Sequence, residues 1–222
     1  MTPLFDWPRA TAFGRVIPKT RIYAHTAATT ALKERFVREV EQITWTHKLA
    51  PETLNLPATK SVREVQVFRL RLKTPDCHET VLRAIDRAIP FPLIHELTHE
   101  GRIQVAAAFK RPSEADSTKW VLGEYFRSDW LDADTPRTPL PLALDMGRLY
   151  EQVVSSLIPV VAADEEPIQA RLDRAADLKA QEQKIARLKS RLGREKQFNR
   201  RVEINGELRE AQAEFQHLKT ND

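Results

Sequence analysis

The segment His-Glu-Leu-Thr-His at residues 95–99 has the residue types and spacing of a zinc metalloprotease motif. That chemistry requires a helix, because only there do residues i and i+4 lie on one face and reach a shared Zn²⁺. In a strand, side chains four residues apart are roughly 13 Å apart, far beyond a shared metal at about 2 Å per ligand. Secondary structure therefore decides whether the segment has metal chemistry.

The flanking sequence predicts a strand for this segment. Pro90 and Pro92 favour extended backbone at the residues before them, Glu100-Gly101 indicates a tight turn, and a second apolar run follows at Ile103–Phe109. We therefore expect a β-hairpin in the middle of the core, with the histidines and the glutamate of the motif exposed and no zinc site.

Other candidate catalytic groups have weaker support. Cys77 is the only cysteine, and its setting indicates a loop that enters a helix rather than a nucleophile. A restriction-type nuclease needs an acid-x-Lys pair on a strand to hold Mg²⁺, and the nearest fragment, Glu64-Val65-Gln66, lacks the lysine. Only six glycines are present, without a phosphate-binding loop. The sequence therefore predicts no catalytic residue, metal ligand or cofactor.

The length fits one domain with an appendage, or two small domains. The chain has 222 residues and a net charge of +4, too small by itself to indicate nucleic-acid binding. No apolar run approaches the roughly 18 residues of a membrane span, and the first residues lack the layout of a signal peptide. We expect a cytoplasmic protein that does not enter a membrane.

Apolar periodicity predicts an α+β domain over residues 1–160, with one mainly antiparallel sheet that carries helices on one face. The expected elements, besides the hairpin, are a strand at Arg21–Ala24, a helix from Ala28 to about Lys48, a strand at Val62–Lys73, a helix at Glu79–Ala88, a strand at Lys119–Phe126, a linker at Thr135–Pro141 and a helix at Leu142–Ile158.

Residues 161–222 are expected to form a C-terminal helical arm. Apolar residues recur there in two heptad series of different phase, which indicates either an antiparallel helical hairpin or one continuous bent helix. Phe198 interrupts the polar run between the series and could anchor a partner or pack at the turn. The residues predicted to form a coiled-coil contact with a partner are Leu178, Ile185, Leu188, Leu192, Phe198, Ile204, Leu208 and Phe215.

Cations crowd the middle of this arm and glutamates follow them. About eight positive charges could neutralise several phosphates of a nucleic acid, while the alternative is a solvated helix face paired with the glutamates. The residues of this basic stretch are Lys184, Arg187, Lys189, Arg191, Arg194, Lys196, Arg200 and Arg201.

Several stretches together resemble a bacterial family known as domain of unknown function 4391. They are Val16–Lys19, Ile43–Pro57, Val65–Phe68, Ile85–Pro92 and Ser128–Trp130, and they occur in the expected order. The likeness spans most of residues 1–160, and a helical arm is also typical of the family.

The resemblance implies associated proteins more than chemistry. Similar proteins are encoded beside SNF2-type helicases and DNA methyltransferases, in gene clusters that look like antiphage or restriction systems. The family pattern defines no catalytic residues. Lys19, Lys48, Glu52 and Asn55 match its polar positions, either as a surface cluster or as residues that cap and tie a loop.

We therefore expect a non-enzymatic accessory subunit that docks through its arm on such a helicase or methyltransferase, or on a second copy of itself. The alternative is a metal-dependent nuclease or a DNA-binding subunit of the same kind of system.

Overall fold

The computed structural model describes residues 3–113, 115–116, 119–161 and 166–220. The chain divides into two compact units, Met1–Leu157 and Ile158–Asp222. The first unit is an α+β domain and the second is helical, so the predicted fold class is confirmed.

The strands of the first unit are β1 (Phe5–Asp6), β2 (Ala12–Val16), β3 (Val40–Leu49), β4 (Val65–Leu72), β5 (Leu93–His99), β6 (Arg102–Pro112), β7 (Trp120–Arg127), β8 (Leu131–Asp132) and β9 (Thr138–Pro139). Its helices are α1 (Lys19–Ala24), α2 (Thr30–Glu39), α3 (Pro51–Leu54), α4 (Glu79–Ala88) and α5 (Met146–Ser155), and a 3₁₀ turn covers Arg9–Thr11.

The main sheet has the strand order β2-β3-β4-β5-β6-β7, and β8 pairs with β6 beside it. Strands β4 and β5 are parallel, because α4 connects them as a crossover, whereas the other neighbours in this sheet are antiparallel. A separate parallel pair joins β1, near the N-terminus, to β9.

Helices α1, α2 and α4 cover one face of this sheet. Their buried residues, such as Ile22, Phe36 and Leu82, form a single apolar cluster with Leu70 and Leu97 of the strands. Helix α4 begins at a cap formed by His78, whose ring accepts a hydrogen bond from the backbone N–H of Thr80. This layer holds β4 and β5 together and places α4 directly over them.

Three local predictions for the first unit are wrong. The helix expected at Leu142–Ile158 covers only Met146–Ser155, because Asp145 caps its start. The helix expected from Ala28 to Lys48 ends at Glu39, where the chain continues directly as β3. Pairing on both edges, with β2 and β4, stabilises the β-branched and aromatic run of β3 as a central strand. The strand expected at Arg21–Ala24 belongs to helix α1, which starts after Pro18.

The second unit is an antiparallel helical hairpin of α6 (Ile168–Arg194) and α7 (Phe198–Thr220), which decides between the two predicted forms of the arm. Leu188, Ile204 and Ala211 are buried between the helices. The ion pairs Lys184–Glu214 and Arg191–Glu207 cross from one helix to the other and define the antiparallel register. In the described part of the chain, no helix is long and apolar enough to span a membrane.

Candidate functional site

The zinc-protease-like segment lies on strand β5, as predicted, so its histidines cannot share a metal. Its expected exposure is wrong, however, since the exposed fraction is 0% for His95 and 1% for Glu96. Successive residues of a strand point to opposite faces. His95 and Glu96 therefore enter two separate polar networks, one on each side of the sheet.

His95 faces α4, where its Nε2 lies 2.8 Å from Asp86 Oδ2. The Tyr125 hydroxyl donates to the same carboxylate oxygen. Lys110 completes this network through its Nζ, which donates to the carbonyl oxygens of Asp86 at 2.5 Å and of Phe91 at 3.1 Å. Each of these four side chains is buried, so the network ties α4 to β5, β6 and β7 without meeting the solvent.

Burial is the main influence on the pKa values of Lys110 and Tyr125 in this network. It lowers the pKa of Lys110 to about 8, although the Asp86 carboxylate acts in the opposite direction. Burial and the neighbouring Asp86 carboxylate raise the pKa of Tyr125. The tyrosine therefore remains a hydrogen-bond donor at neutral pH.

Glu96 faces the opposite side, where it receives hydrogen bonds from three residues. Trp7 Nε1 donates at 2.9 Å, Arg137 at 2.7 Å and Arg69 at 2.6 Å. Burial acts to raise the pKa of Glu96, but the hydrogen bonds and positive charges of Arg137 and Arg69 outweigh it and lower the pKa. Arg137 also donates to the Phe5 carbonyl at 2.8 Å, so this carboxylate fastens the N-terminal segment to the sheet.

Cys77 is buried, and burial raises the pKa of its thiol to about 12. A thiol in this state is not a nucleophile at neutral pH, which agrees with the interpretation of this segment as a structural loop.

A smaller polar cluster joins strands β3 and β4. Lys48 Nζ lies 2.6 Å from Glu52 and 3.4 Å from Glu64, and the Gln66 side chain donates to Glu64. Lys48 of the neighbouring strand β3 therefore supplies the lysine that the Glu64-Val65-Gln66 fragment lacks. The spacing of residues in the sequence did not reveal this contact. Within the described residues, no group of three His, Cys, Asp or Glu side chains is arranged to hold a metal ion.

The other polar positions noted in the family pattern act separately from this cluster. Lys19 Nζ donates to the carbonyl oxygens of Phe36 and Val40, where α2 ends. Asn55 ends α3 in the left-handed conformation, with φ of 55°. Lys19 and Asn55 therefore cap helices, while Lys48 and Glu52 form an ion pair.

In the hairpin, most of the residues predicted to bind a partner pack within the chain. Ile185, Leu192 and Leu208 surround the buried Leu188 and Ile204, so the apolar seam lies between α6 and α7. Leu178 and Phe215 are half-buried. Phe198 is the exception, because it is 78% exposed at the start of α7 instead of packing at the turn.

All eight residues of the predicted basic stretch are exposed around the turn of the hairpin. Lys184 and Arg191 pair with glutamates of α7, whereas the remaining six have no ion-pair partner in the described part of the chain. Those six are Arg187, Lys189, Arg194, Lys196, Arg200 and Arg201. A groove of about 370 Å³ at this end is lined by Arg191, Arg194, Arg200, Glu195, Glu203, Glu207 and Ile204.

Val202, 55% exposed, follows Phe198 by one helical turn, so the two apolar side chains lie on the same face of α7. We call the six unpaired cations, Phe198 and Val202 the basic end of the hairpin. Exposed cations and an exposed aromatic ring are the groups that bind phosphates and stack on bases.

The architecture defines the class of the chain: an α+β domain with buried polar networks, followed by a helical hairpin with a basic end. The chain belongs to the family described as Domain of unknown function (DUF4391), whose model matches residues 5–215. No curated protein and no solved structure matches the chain.

Proposed function

We propose that the chain is a non-enzymatic accessory subunit of a bacterial DNA-processing or antiphage defence system, and that the basic end of its hairpin binds nucleic acid. The observation that carries the proposal is the concentration of charge there. Between residues 184 and 207 there are eight cations and three carboxylates, and six of the cations have no ion-pair partner within the described residues.

The packing of the hairpin favours nucleic acid over a helical protein partner. A coiled-coil contact would need an exposed apolar stripe, but Ile185, Leu188 and Ile204 already pack against the other helix of the same chain. What remains exposed near the turn is an excess of positive charge over the carboxylates of Glu203 and Glu207, together with two apolar side chains. Phosphates are its natural counterpart, because cations that bind them release counterions from the nucleic acid.

The family resemblance supplies the proposed setting. A subunit of this kind would work beside an SNF2-type helicase or a DNA methyltransferase and would hold the nucleic acid on which the enzyme acts. In this proposal the α+β domain contacts the enzyme and the hairpin contacts the nucleic acid.

The test measures fluorescence anisotropy of labelled DNA with the full chain at several salt concentrations. If all six unpaired cations contact phosphates, the slope of log affinity against log salt is about −4 to −5. Replacing Arg194, Lys196, Arg200 and Arg201 with glutamine should reduce the slope to about −1 to −2 and weaken binding at least tenfold.

The matched control replaces Arg15, Arg21, Lys60 and Arg63 with glutamine. These residues are exposed cations of the first unit, so the control removes the same charge and the same residue types. Equal losses of affinity in the two variants would mean that the whole protein attracts DNA non-specifically, and the proposed interface would be wrong.

A second candidate function, metal-dependent nuclease activity, is favoured by the contact of Lys48 with both Glu52 and Glu64. Mg²⁺ is often held by one or two carboxylates together with substrate phosphates, and a nearby lysine can stabilise the developing charge. Incubation of plasmid DNA with Mg²⁺ and the protein tests this function. Nicking that is absent, or unchanged in a Glu64→Gln variant, excludes this cluster as a nuclease site.

A further inference from the structure

A second positively charged surface lies in the first unit, where α2 and α4 run side by side. The groove between them has a volume of about 620 Å³, within the range of small-molecule sites. Its lining comes from the end of α1 and from both helices: His25, Thr26, Ala27, Thr29, Ala31, Leu32, Arg35, Thr80, Arg83, Ala84 and Arg87.

The charge of this lining has one sign. Three arginines supply it, His25 adds an uncommitted imidazole, and no carboxylate stands among the described residues that form the lining. Two acids border the lining, and each is paired with one of its arginines, Glu79 with Arg83 and Glu39 with Arg35. Glu79 accepts a hydrogen bond from Arg83 at 2.6 Å, and Glu39 Oε2 accepts from the backbone N–H of His78 at 2.8 Å.

The arginines differ in how firmly they are held. Arg83 is fixed by Glu79, by the Gly123 carbonyl at 3.1 Å and by the Tyr125 ring beneath it. Arg35 is only 3.8 Å from the other oxygen of Glu39, and Arg87 is exposed, with no ion pair in the part of the chain that the structure describes. Arg87 is therefore available to an incoming anion, Arg35 could bind it by giving up its long ion pair with Glu39, and Arg83 is held rigidly beside them.

Neutral groups of the groove complement these cations. The Thr29 hydroxyl accepts a hydrogen bond from the backbone N–H of Leu32 at 3.3 Å, which leaves its hydrogen to be donated into the groove. Leu32 and Ala84 add apolar surface between the arginines. The groove therefore presents planar guanidinium groups, a hydroxyl donor and a small apolar surface.

We propose that this groove binds a phosphorylated small molecule of about the size of a nucleoside diphosphate. Arg35 and Arg87 would bind the phosphates through paired N–H donors, for which guanidinium geometry is suited. The uncharged part of the ligand would rest on Leu32 and Ala84. This site is separate from the basic end of the hairpin and does not depend on the function proposed for it.

Isothermal titration calorimetry of the full chain with ADP, pyrophosphate and adenosine tests the proposal. We expect ADP to bind, pyrophosphate to bind more weakly and adenosine to show no binding. Replacing Arg35 and Arg87 with glutamine should weaken ADP binding at least tenfold, and Arg87→Lys should fall between, because lysine keeps the charge but loses the fork.

Two controls separate this site from the hairpin. The Arg15→Gln/Arg63→Gln pair removes the same charge from exposed residues of the first unit that do not line the groove, and it should leave ADP binding unchanged. The hairpin variant with glutamine at positions 194, 196, 200 and 201 should bind ADP normally while its affinity for DNA falls. The proposal is overturned if neither ADP nor pyrophosphate binds, or if the Arg35/Arg87 variant binds them as the unmodified protein does.

Discussion

Lys110 is buried beneath α4, and this position predicts that the protein becomes more stable as the pH rises from 7 to 9. Its exposed fraction is 3%, and burial lowers its pKa from the ordinary 10.5 to about 8. The unfolded chain therefore binds more protons than the folded protein between these two values, so the free energy of unfolding increases with pH in that window.

The magnitude follows from the two pKa values. The difference between 10.5 and about 8 corresponds to about 3 kcal/mol at 1.36 kcal/mol per pKa unit. Most of that change falls above pH 9, and linkage gives a gain of about 1.3 kcal/mol from Lys110 between pH 7 and pH 9. Cys77 acts in the opposite direction, because its raised folded pKa of about 12 costs roughly 0.4 kcal/mol over the same interval.

Urea denaturation of the unmodified protein and of a Lys110→Met variant at pH 7, 8 and 9 isolates the lysine, because Cys77 is common to both. We expect the free energy of unfolding of the unmodified protein, relative to that of the variant, to increase by about 1.3 kcal/mol from pH 7 to pH 9. A constant difference would refute the reasoning. It would show that the carbonyl oxygens of Asp86, Ile89 and Phe91 hold the ammonium group as well as water does.

Three further predictions concern the sheet and the hairpin. Glu96→Gln should destabilise the protein by about 2–3 kcal/mol at pH 7, below the usual 3–5 because Arg69 and Arg137 keep some contact with water. Since the pKa of Glu96 is lowered in the folded protein, this difference should shrink as the pH falls through that pKa, and urea denaturation between pH 7 and pH 3 measures it. Leu188→Ala should destabilise the hairpin by about 2–4 kcal/mol, which limited proteolysis of the second unit would detect, with Leu142→Ala as an exposed control. Phe198→Leu should weaken single-stranded DNA binding by about fivefold or more and leave duplex binding nearly unchanged, because leucine keeps the apolar surface but loses the ring that stacks on bases; equal effects on both would contradict base stacking.

Local signals in the sequence predicted the elements whose boundaries depend on neighbouring residues. Helix α4 lies at Glu79–Ala88, as expected from its apolar spacing, and the turn at Glu100-Gly101 joins β5 to β6. Both residues of that turn have positive φ values, 43° at Glu100 and 76° at Gly101. Because Gly101 has no Cβ, its positive φ has no steric cost.

Strand β3 could not be predicted in the same way. The spacing of Leu32, Phe36, Val40 and Ile43 continues a helical pattern past the point where the helix ends. The chain leaves the helix at Val40 because β2 and β4, which are distant in sequence, pair with β3 on both edges. A tertiary interaction here overrides the local periodicity.

The candidate sites were predictable to different degrees. The cations at the turn of the hairpin are contiguous in sequence, so composition alone identified them. In contrast, the groove between α2 and α4 combines Arg35 with Arg83 and Arg87, and the cluster on β3 and β4 combines Lys48 with Glu64. Only the packing of separate elements brings these residues together, and one sequence does not show that packing.

The burial of His95 and Glu96 explains why a metalloprotease-like segment occurs in a strand. Polar residues in a strand usually indicate solvated positions, but His95 and Glu96 each have charged or polar partners from distant parts of the chain. Asp86 pairs with His95 Nε2 on one side and also accepts from Tyr125, while Arg69 and Arg137 pair with Glu96 on the other. Burying an unpaired carboxylate would destabilise the folded protein far more than burying these paired networks does. Each side chain is therefore tolerated only because its partners are fixed. The two residues thereby fasten α4 to one face of β5 and the N-terminal segment to the other, and the same five residues that suggested zinc chemistry serve to hold the domain together.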